Sequence, residues 1–165
     1  MSFLYDTLVQ EFGKREIARV PVPNYITDNL KPGFGQRPYQ IESFQRYILC
    51  HNEDFEGRPK KPFHLLYNMA TGSGKTLVMA GLMLYLYEKG FRNFLFFVNS
   101  NNIIKKTKDN FLNPQASKYL FNDKIVIDGK EVYIKETDTF ESADDKNINI
   151  KFTTIQQLHI DLNNT

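Results

Sequence analysis

The residues best suited to chemistry lie in one short segment, ATGSGKT at residues 70–76. Glycines let a backbone curl so that successive N–H groups point at one place, and a helix that follows presents its positive end there. A lysine and a hydroxyl residue after such a turn suit a triphosphate, because the lysine meets the β- and γ-phosphates and the hydroxyl ligates magnesium. We therefore predict an ATP and Mg2+ site. Its nucleotide-binding residues are Thr71, Gly72, Ser73, Gly74, Lys75 and Thr76, with Lys75 and Thr76 also catalytic and Thr76 the metal ligand.

The usual form of this Walker A motif, G-x-x-x-x-G-K-(S/T), begins with a glycine, and Met69 stands at that position here. A glycine-rich turn that merely caps a helix is the alternative interpretation. The motif also requires a strand before the loop and a helix after it, so the flanking sequence helps to decide between the two.

The flanking segments match that requirement. Residues 64–69 form a short apolar run, which predicts a buried strand, and residues 75–88 predict a largely buried helix that stops near Gly90. A second apolar run at residues 94–98 precedes polar residues that can cap another helix. Alternating strands and helices predict an α/β fold with a parallel sheet flanked by helices, because parallel neighbours need a crossover.

The remaining segments predict two regions. Residues 1–35 form an N-terminal helix and an extended connector broken by proline and glycine, and residues 36–165 form the ATP-binding lobe. A hairpin insertion near residues 124–136 turns at Asp128-Gly129. The other predicted elements are a helix over residues 38–51, an acidic loop over 141–147, a strand over 148–153 and a helix that starts at Ile155.

Composition favours an ordinary globular protein of the cytoplasm. The chain has 165 residues with 41% hydrophobic and 24% charged side chains. It contains no apolar stretch near the ~20 residues of a membrane span, and residues 1–6 do not resemble a secretory signal. The net charge of +2 does not by itself indicate a polyanionic partner. Cys50 is the only cysteine, which excludes an internal disulfide or a multi-cysteine zinc site and predicts a small buried side chain.

Two further motifs accompany the loop. The loop resembles the first motif of superfamily 2 helicases and translocases of the DEAD/DEAH type, which commonly lacks the leading glycine. QRPYQ at residues 36–40 is similar to an element ahead of the loop in the restriction-enzyme branch of these motors, and FTTIQQ at residues 152–157 is similar to a later motif. Together they most resemble the restriction (Res) subunit of type III restriction-modification systems. The resemblance implies a RecA-like P-loop NTPase fold, here a truncated first motor lobe.

The resemblance also implies a role for Gln40, which would read the adenine edge, with Arg37 in the same nucleotide site. A side-chain amide can donate and accept at once, as the N6 and N7 atoms of adenine require. From the residues alone, Gln40 is simply a polar side chain near a helix start.

Four polar residues are candidates for contact with the nucleic-acid backbone by the same resemblance: Asn99, Ser100, Thr153 and Thr154. Hydroxyl and amide groups at these places can hold a phosphate, but they can equally cap the helices that follow. Lysines at 105, 106 and 108 could extend a basic track or form a solvated helix face.

Hydrolysis in this family needs an Asp-Glu pair at the end of an apolar strand. No such pair is present, and Asp128 is followed by Gly129, which favours a hairpin turn over a catalytic carboxylate. A second motor lobe with its arginine is also missing. We therefore expect a piece of a longer enzyme that binds ATP weakly at most and does not hydrolyse it alone. The whole protein would be an ATP-driven DNA translocase, coupled to an endonuclease domain elsewhere and to a methyltransferase or specificity subunit. The alternatives are part of an RNA helicase and a nucleotide-binding module that is not a motor.

Overall fold

The computed structural model describes residues 3–32, 37–141 and 143–163, and the parts of the predictions that involve the other residues, Gln36 among them, lie outside this range. The described residues form an α/β structure. Its helices are α1 (Leu4–Phe12), α2 (Lys14–Arg19), α3 (Asn24–Thr27), α4 (Pro38–Asn52), α5 (Lys75–Glu88), α6 (Asn101–Leu112) and α7 (Ile155–Asn163). Its strands are β1 (Asn93–Val98), β2 (Ile125–Ile127), β3 (Lys130–Val132), β4 (Ile134–Glu136) and β5 (Ile148–Thr154).

The main sheet has three parallel strands in the order β1-β5-β4. Helix α6 packs on this sheet: the ring of Phe111 contacts that of Phe152, which in turn contacts Phe96. The predicted parallel sheet flanked by helices is therefore confirmed. None of the described helices is long and apolar enough to cross a bilayer.

The strand predicted over residues 64–69 is wrong. This segment is extended, and Leu65, Tyr67 and Met69 are half-buried while the residues between them are exposed, but it pairs with no other strand among the described residues. Leu66 is 93% exposed. A strand needs a neighbour to complete its hydrogen bonds, and the apolar run that predicted the strand does not reveal whether that neighbour is present.

Helices α4 and α5 pack closely, and both match their predicted spans. Phe44 and Gly81 are both in the interior, with Ile26 of α3 beside them. A side chain at position 81 would collide with the Phe44 ring. Glycine at this point of α5 therefore lets α4 lie against the helix that follows the phosphate loop.

The connector predicted before residue 36 is only partly extended. Helix α1 is confirmed, but it ends at Phe12. Gly13 follows with φ of +79°, and α2 and α3 come after it. Ile17 and Ile26 are buried, so apolar residues of this region pack inside. Proline and glycine mark breaks between helices here, and they do not exclude short helices held by packing.

The predicted hairpin is confirmed, but it is shorter than expected. Strands β2 and β3 pair antiparallel, and Asp128 and Gly129 both have positive φ (51° and 72°), as a tight hairpin turn requires. Asp128 is therefore a turn residue. The chain then leaves the hairpin at Tyr133, whose N–H donates to Asn147 Oδ1 (2.9 Å), and β4 joins the main sheet beside β5. The hairpin predicted over residues 124–136 thus includes β4, which belongs to the main sheet.

Asn29 connects this hairpin to the N-terminal region. Its side chain is buried, donates to Tyr25 O (2.7 Å) and Val126 O (2.8 Å), and accepts from the Val126 N–H (2.7 Å). The amide thereby satisfies both backbone groups of one residue of β2. No sequence pattern predicts this role, because Asn29 and Val126 lie far apart in the chain.

Candidate functional site

The glycine-rich segment forms the turn that its sequence predicts. Gly72 and Gly74 have φ of +78° and +86°, and the Ser73 N–H donates to Ala70 O at 3.2 Å. The first hydrogen bond of α5 runs from the Val78 N–H to Gly74 O (3.1 Å), and in the described part of the chain no side chain caps this helix. The N–H groups ahead of Val78 therefore remain available at the positive end of α5, as anion binding requires.

Lys75 folds back over the loop instead of extending into solvent. Its ammonium group donates to Met69 O and Ala70 O, both at 2.9 Å. These carbonyl groups lie at the start of the loop and Lys75 at its end, so the lysine side chain crosses the loop and places its ammonium group there. An exposed ammonium held only by neutral carbonyls is free to exchange them for a phosphate, with which a charge-assisted hydrogen bond is stronger.

The loop also contains a buried polar group whose hydrogen-bonding capacity is not satisfied. The Ser73 hydroxyl oxygen is buried and has no partner among the residues that the structure describes. A buried hydroxyl in this state is unfavourable, and a ligand that reached it would relieve the cost. Together with the uncapped helix end and the nearby ammonium, this donor set fits a phosphorylated ligand.

Thr76 is half-buried on the first turn of α5. No cluster of three or more histidine, cysteine, aspartate or glutamate residues that could hold a metal ion occurs in the described ranges. The Thr76 hydroxyl stays the predicted magnesium ligand on this turn, and magnesium commonly completes its coordination with substrate phosphates and water.

Gln40, the predicted adenine reader, lies directly against the loop. Its Nε2 donates to Ser73 O (2.8 Å), its Oε1 accepts from the Arg37 N–H (2.9 Å), and the side chain is buried. Tyr39 also donates to Ser73 O (2.9 Å) and accepts from Arg37 Nη1 (3.0 Å). The structure thus brings Arg37 and Gln40 to the loop, while a role of either in binding the nucleotide stays a prediction. Tyr39 joins them from the same motif, although it was not among the predicted site residues.

The four candidate nucleic-acid residues also come together. In the register of β1 and β5, Val98 lies beside Thr154, so Asn99 and Ser100 follow one strand where Thr153 and Thr154 end its neighbour.

These four residues differ in their local roles. Thr154 accepts from the Gln157 N–H (3.0 Å), so at this position the capping alternative is confirmed, and Thr153 is buried. Ser100 stands at the start of α6 without a side-chain capping bond, and Asn99 is exposed. Contact with nucleic acid remains a prediction for all four.

The lysines of α6 do not form one continuous track. Lys108 pairs with Glu136 of β4, and its ammonium lies 5.8 Å from the centre of the Phe152 ring. Lys105 and Lys106 are exposed. The solvated-face interpretation therefore describes these two better than Lys108, which helps to hold α6 on the sheet.

An open groove of about 910 Å3 adjoins the loop between α1, α4 and residues 64–70. Tyr67 lines it, and burial raises the pKa of its hydroxyl far above the ordinary value, so the group stays protonated. Cys50 also lines the groove but is itself 1% exposed, and burial raises the pKa of its thiol. The predicted small buried cysteine is confirmed.

Comparisons with known proteins agree with these motifs. Residues 34–165 match the model of a family described as "Type III restriction enzyme, res subunit". The chain is 44% identical over 143 residues to the "Probable type III restriction-modification enzyme HindVIP Res subunit" of Haemophilus influenzae, a match that covers 86% of this chain and 28% of that protein. No solved structure matches significantly. The family has a RecA-like P-loop fold, so the predicted fold class is confirmed.

Proposed function

The chain belongs to the family of type III restriction enzyme res subunits, and we propose that it binds the triphosphate of ATP, with Mg2+, as part of a DNA-translocating motor. The observation that carries the proposal is the glycine-rich turn at residues 70–74, which leads into the uncapped end of α5 with Lys75 folded over it. Family membership favours DNA over RNA as the polymer on which the whole protein acts.

Each group of the loop has a separate task in this proposal. The free N–H groups at the start of α5 donate to phosphate oxygens, and the helix dipole favours negative charge at the same point. Lys75 leaves the carbonyls of Met69 and Ala70 and pairs with the terminal phosphates. Thr76 supplies a hydroxyl ligand to magnesium, which when bound neutralises phosphate charge.

Hydrolysis is a different matter from binding. In the described residues no Asp-Glu pair ends a strand, and Asp128 is occupied in a hairpin turn. The chain spans 28% of the length of the relative that it matches. We propose that the water-activating carboxylate, contact with DNA, cleavage and association with a methyltransferase subunit depend on the whole protein.

A titration with a fluorescent ATP analogue in the presence of Mg2+ tests the binding proposal. Lys75→Ala is expected to weaken binding by roughly 10- to 100-fold, because a hydrogen bond to a charged group is worth about 1.5–3 kcal/mol. Lys106→Ala is the matched control, since Lys106 is an exposed lysine on α6 and has no proposed role in binding ATP. Equal affinities for the wild type and Lys75→Ala would exclude this loop as the triphosphate site.

A phosphate-release assay tests the proposal about hydrolysis. We expect the 165-residue chain to show no turnover above background, with or without DNA. Sustained turnover that Lys75→Ala abolishes would show that the chain contains its own complete hydrolytic site.

A further inference from the structure

The carbonyl oxygen of Ser73 accepts two side-chain hydrogen bonds, and both come from the first turn of α4. The Tyr39 hydroxyl and Gln40 Nε2 reach it at 2.9 and 2.8 Å. Two donors on one carbonyl fix its direction more firmly than one, because loss of either bond leaves the other in place. The middle of the phosphate loop is thus held from a neighbouring helix.

A trans peptide unit carries its C=O and N–H groups in opposite directions. Because the Ser73 carbonyl points at α4, the N–H group of Gly74 in the same peptide unit points away from α4. Among the described residues this N–H has no partner. We propose that Tyr39 and Gln40 are positioning residues that hold this peptide so that the Gly74 N–H is presented to phosphate. The proposal rests on the ATP-binding function above.

The close approach of Gln40 to Gly74 supports this role. A methyl group added at Gly74 would lie 2.3 Å from Gln40 Nε2, so the carboxamide sits where any other residue would place its side chain. Its oxygen is also engaged, since it accepts from the Arg37 N–H. A carboxamide tied at both ends is better placed to orient the loop than to read a base.

Tyr39 connects the loop to a charge. Its hydroxyl accepts from Arg37 Nη1 (3.0 Å) while donating its own proton to Ser73 O. A hydrogen bond from a guanidinium group polarises the hydroxyl and strengthens the bond that it donates. The phenol therefore uses its donor and one acceptor position in a chain from Arg37 through Tyr39 to Ser73.

Competition binding with inorganic tripolyphosphate, ATP and GTP separates orientation of the loop from recognition of the base. Tripolyphosphate has the anionic tail and no base. Tyr39→Phe and Gln40→Ala are each expected to weaken the binding of tripolyphosphate and ATP together, by about 5- to 10-fold, since each removes one of the two hydrogen bonds to Ser73 O. The ratio of ATP to GTP affinity should stay unchanged. Tyr133→Phe is the matched control, because it removes the hydroxyl of an exposed tyrosine between β3 and β4.

Loss of the ATP-over-GTP preference in Gln40→Ala, with tripolyphosphate affinity unchanged, would overturn the proposal in favour of base reading. Amide exchange of the ligand-free protein gives an independent readout. We expect Tyr39→Phe and Gln40→Ala, but not Tyr133→Phe, to shift the Gly74 amide resonance and speed its exchange. If the wild type binds none of the three ligands, the proposed ATP-binding function is wrong. Amide exchange at Gly74 then decides by itself whether Tyr39 and Gln40 hold this peptide in place. Unaltered Gly74 exchange in both variants would overturn it.

Discussion

Phe44 of α4 lies across Gly81 of α5 so closely that a methyl group on Gly81 would come within 2.4 Å of the Phe44 ring. Gly74, seven residues earlier, stands in the same relation to Gln40, four residues before Phe44. Helix α4 therefore contacts α5 at Gly81 and the phosphate loop at Gly74, just before α5 begins. The packing of α4 on α5 and the shape of the loop are parts of one arrangement.

Gly81→Ala is expected to destabilise the protein by about 1–3 kcal/mol, because the added methyl group overpacks the interface with Phe44. Helix propensity alone predicts the opposite sign, since alanine is favoured over glycine in a helix by about 1 kcal/mol. Urea denaturation followed by circular dichroism measures the difference. A Phe44→Leu background supplies the control: part of the Gly81→Ala cost should disappear there, and an unchanged cost would show that the ring is not its source.

The two glycines of the loop should respond differently to alanine. Both have positive φ, which costs a non-glycine residue about 1–2 kcal/mol. A methyl group at Gly72 meets nothing within 4 Å, whereas one at Gly74 collides with Gln40. We expect Gly74→Ala to lower ATP affinity more than Gly72→Ala does. The difference between the two losses should be roughly 10-fold or more if the collision breaks the Gln40 bond to Ser73 and reorients the peptide. Equal losses of affinity at the two positions would argue that strain alone matters.

Asp144 should make stability depend on acid. Hydrogen bonds from Lys135 Nζ, the Lys146 N–H and Asn147 Nδ2 hold the pKa of this carboxyl well below its ordinary value of 3.8. A lowered pKa means that the folded state favours the ionised form, so the stabilisation is complete above about pH 4 and is lost as the pH falls below it. Asp144→Asn is therefore expected to lower the melting temperature at pH 7, and the gap to the wild type should narrow steadily as the pH falls below 3.8.

Asp145→Asn is the matched control for this prediction. Asp145 is the exposed neighbour, and it accepts a hydrogen bond from Arg92 Nε through its backbone carbonyl. Melting curves of the three proteins between pH 3 and pH 7 make the comparison. A gap between the wild type and Asp144→Asn that did not vary with pH would assign the effect to packing.

The extended segment at residues 64–69 should tolerate charge on one side only. Leu66 is 93% exposed, whereas Leu65 is half-buried. We expect Leu66→Lys to change the free energy of unfolding by less than about 0.5 kcal/mol, and Leu65→Lys to lower it by about 1–3 kcal/mol, because only the second charge must leave water. Chemical denaturation of both variants measures this. Comparable destabilisation by the two substitutions would mean that Leu66 is covered in solution.

Much of the fold follows from local sequence. Helix α5 begins at Lys75 and ends at Glu88 as predicted, because an unbroken apolar run lies between a glycine turn and Gly90. The hairpin turn at Asp128-Gly129 is equally predictable from the sequence, since few residue pairs accept two positive φ values. The loop itself was predicted for the same reason: its glycines, lysine and threonine are adjacent in the chain.

Tertiary contacts decided the rest. Neighbouring strands determine whether an apolar run becomes part of a sheet, which is why β4 joins β5 while residues 64–69 remain unpaired in the described part of the structure. The direction of the Gln40 side chain could likewise not be predicted from the sequence, because it depends on a hydrogen bond to a carbonyl group 33 residues away. Hydrophobic periodicity and turn preferences depend on residues that are close in the sequence, so they can be predicted from it. Strand pairing and hydrogen bonds across the core depend on segments that come together only when the chain folds.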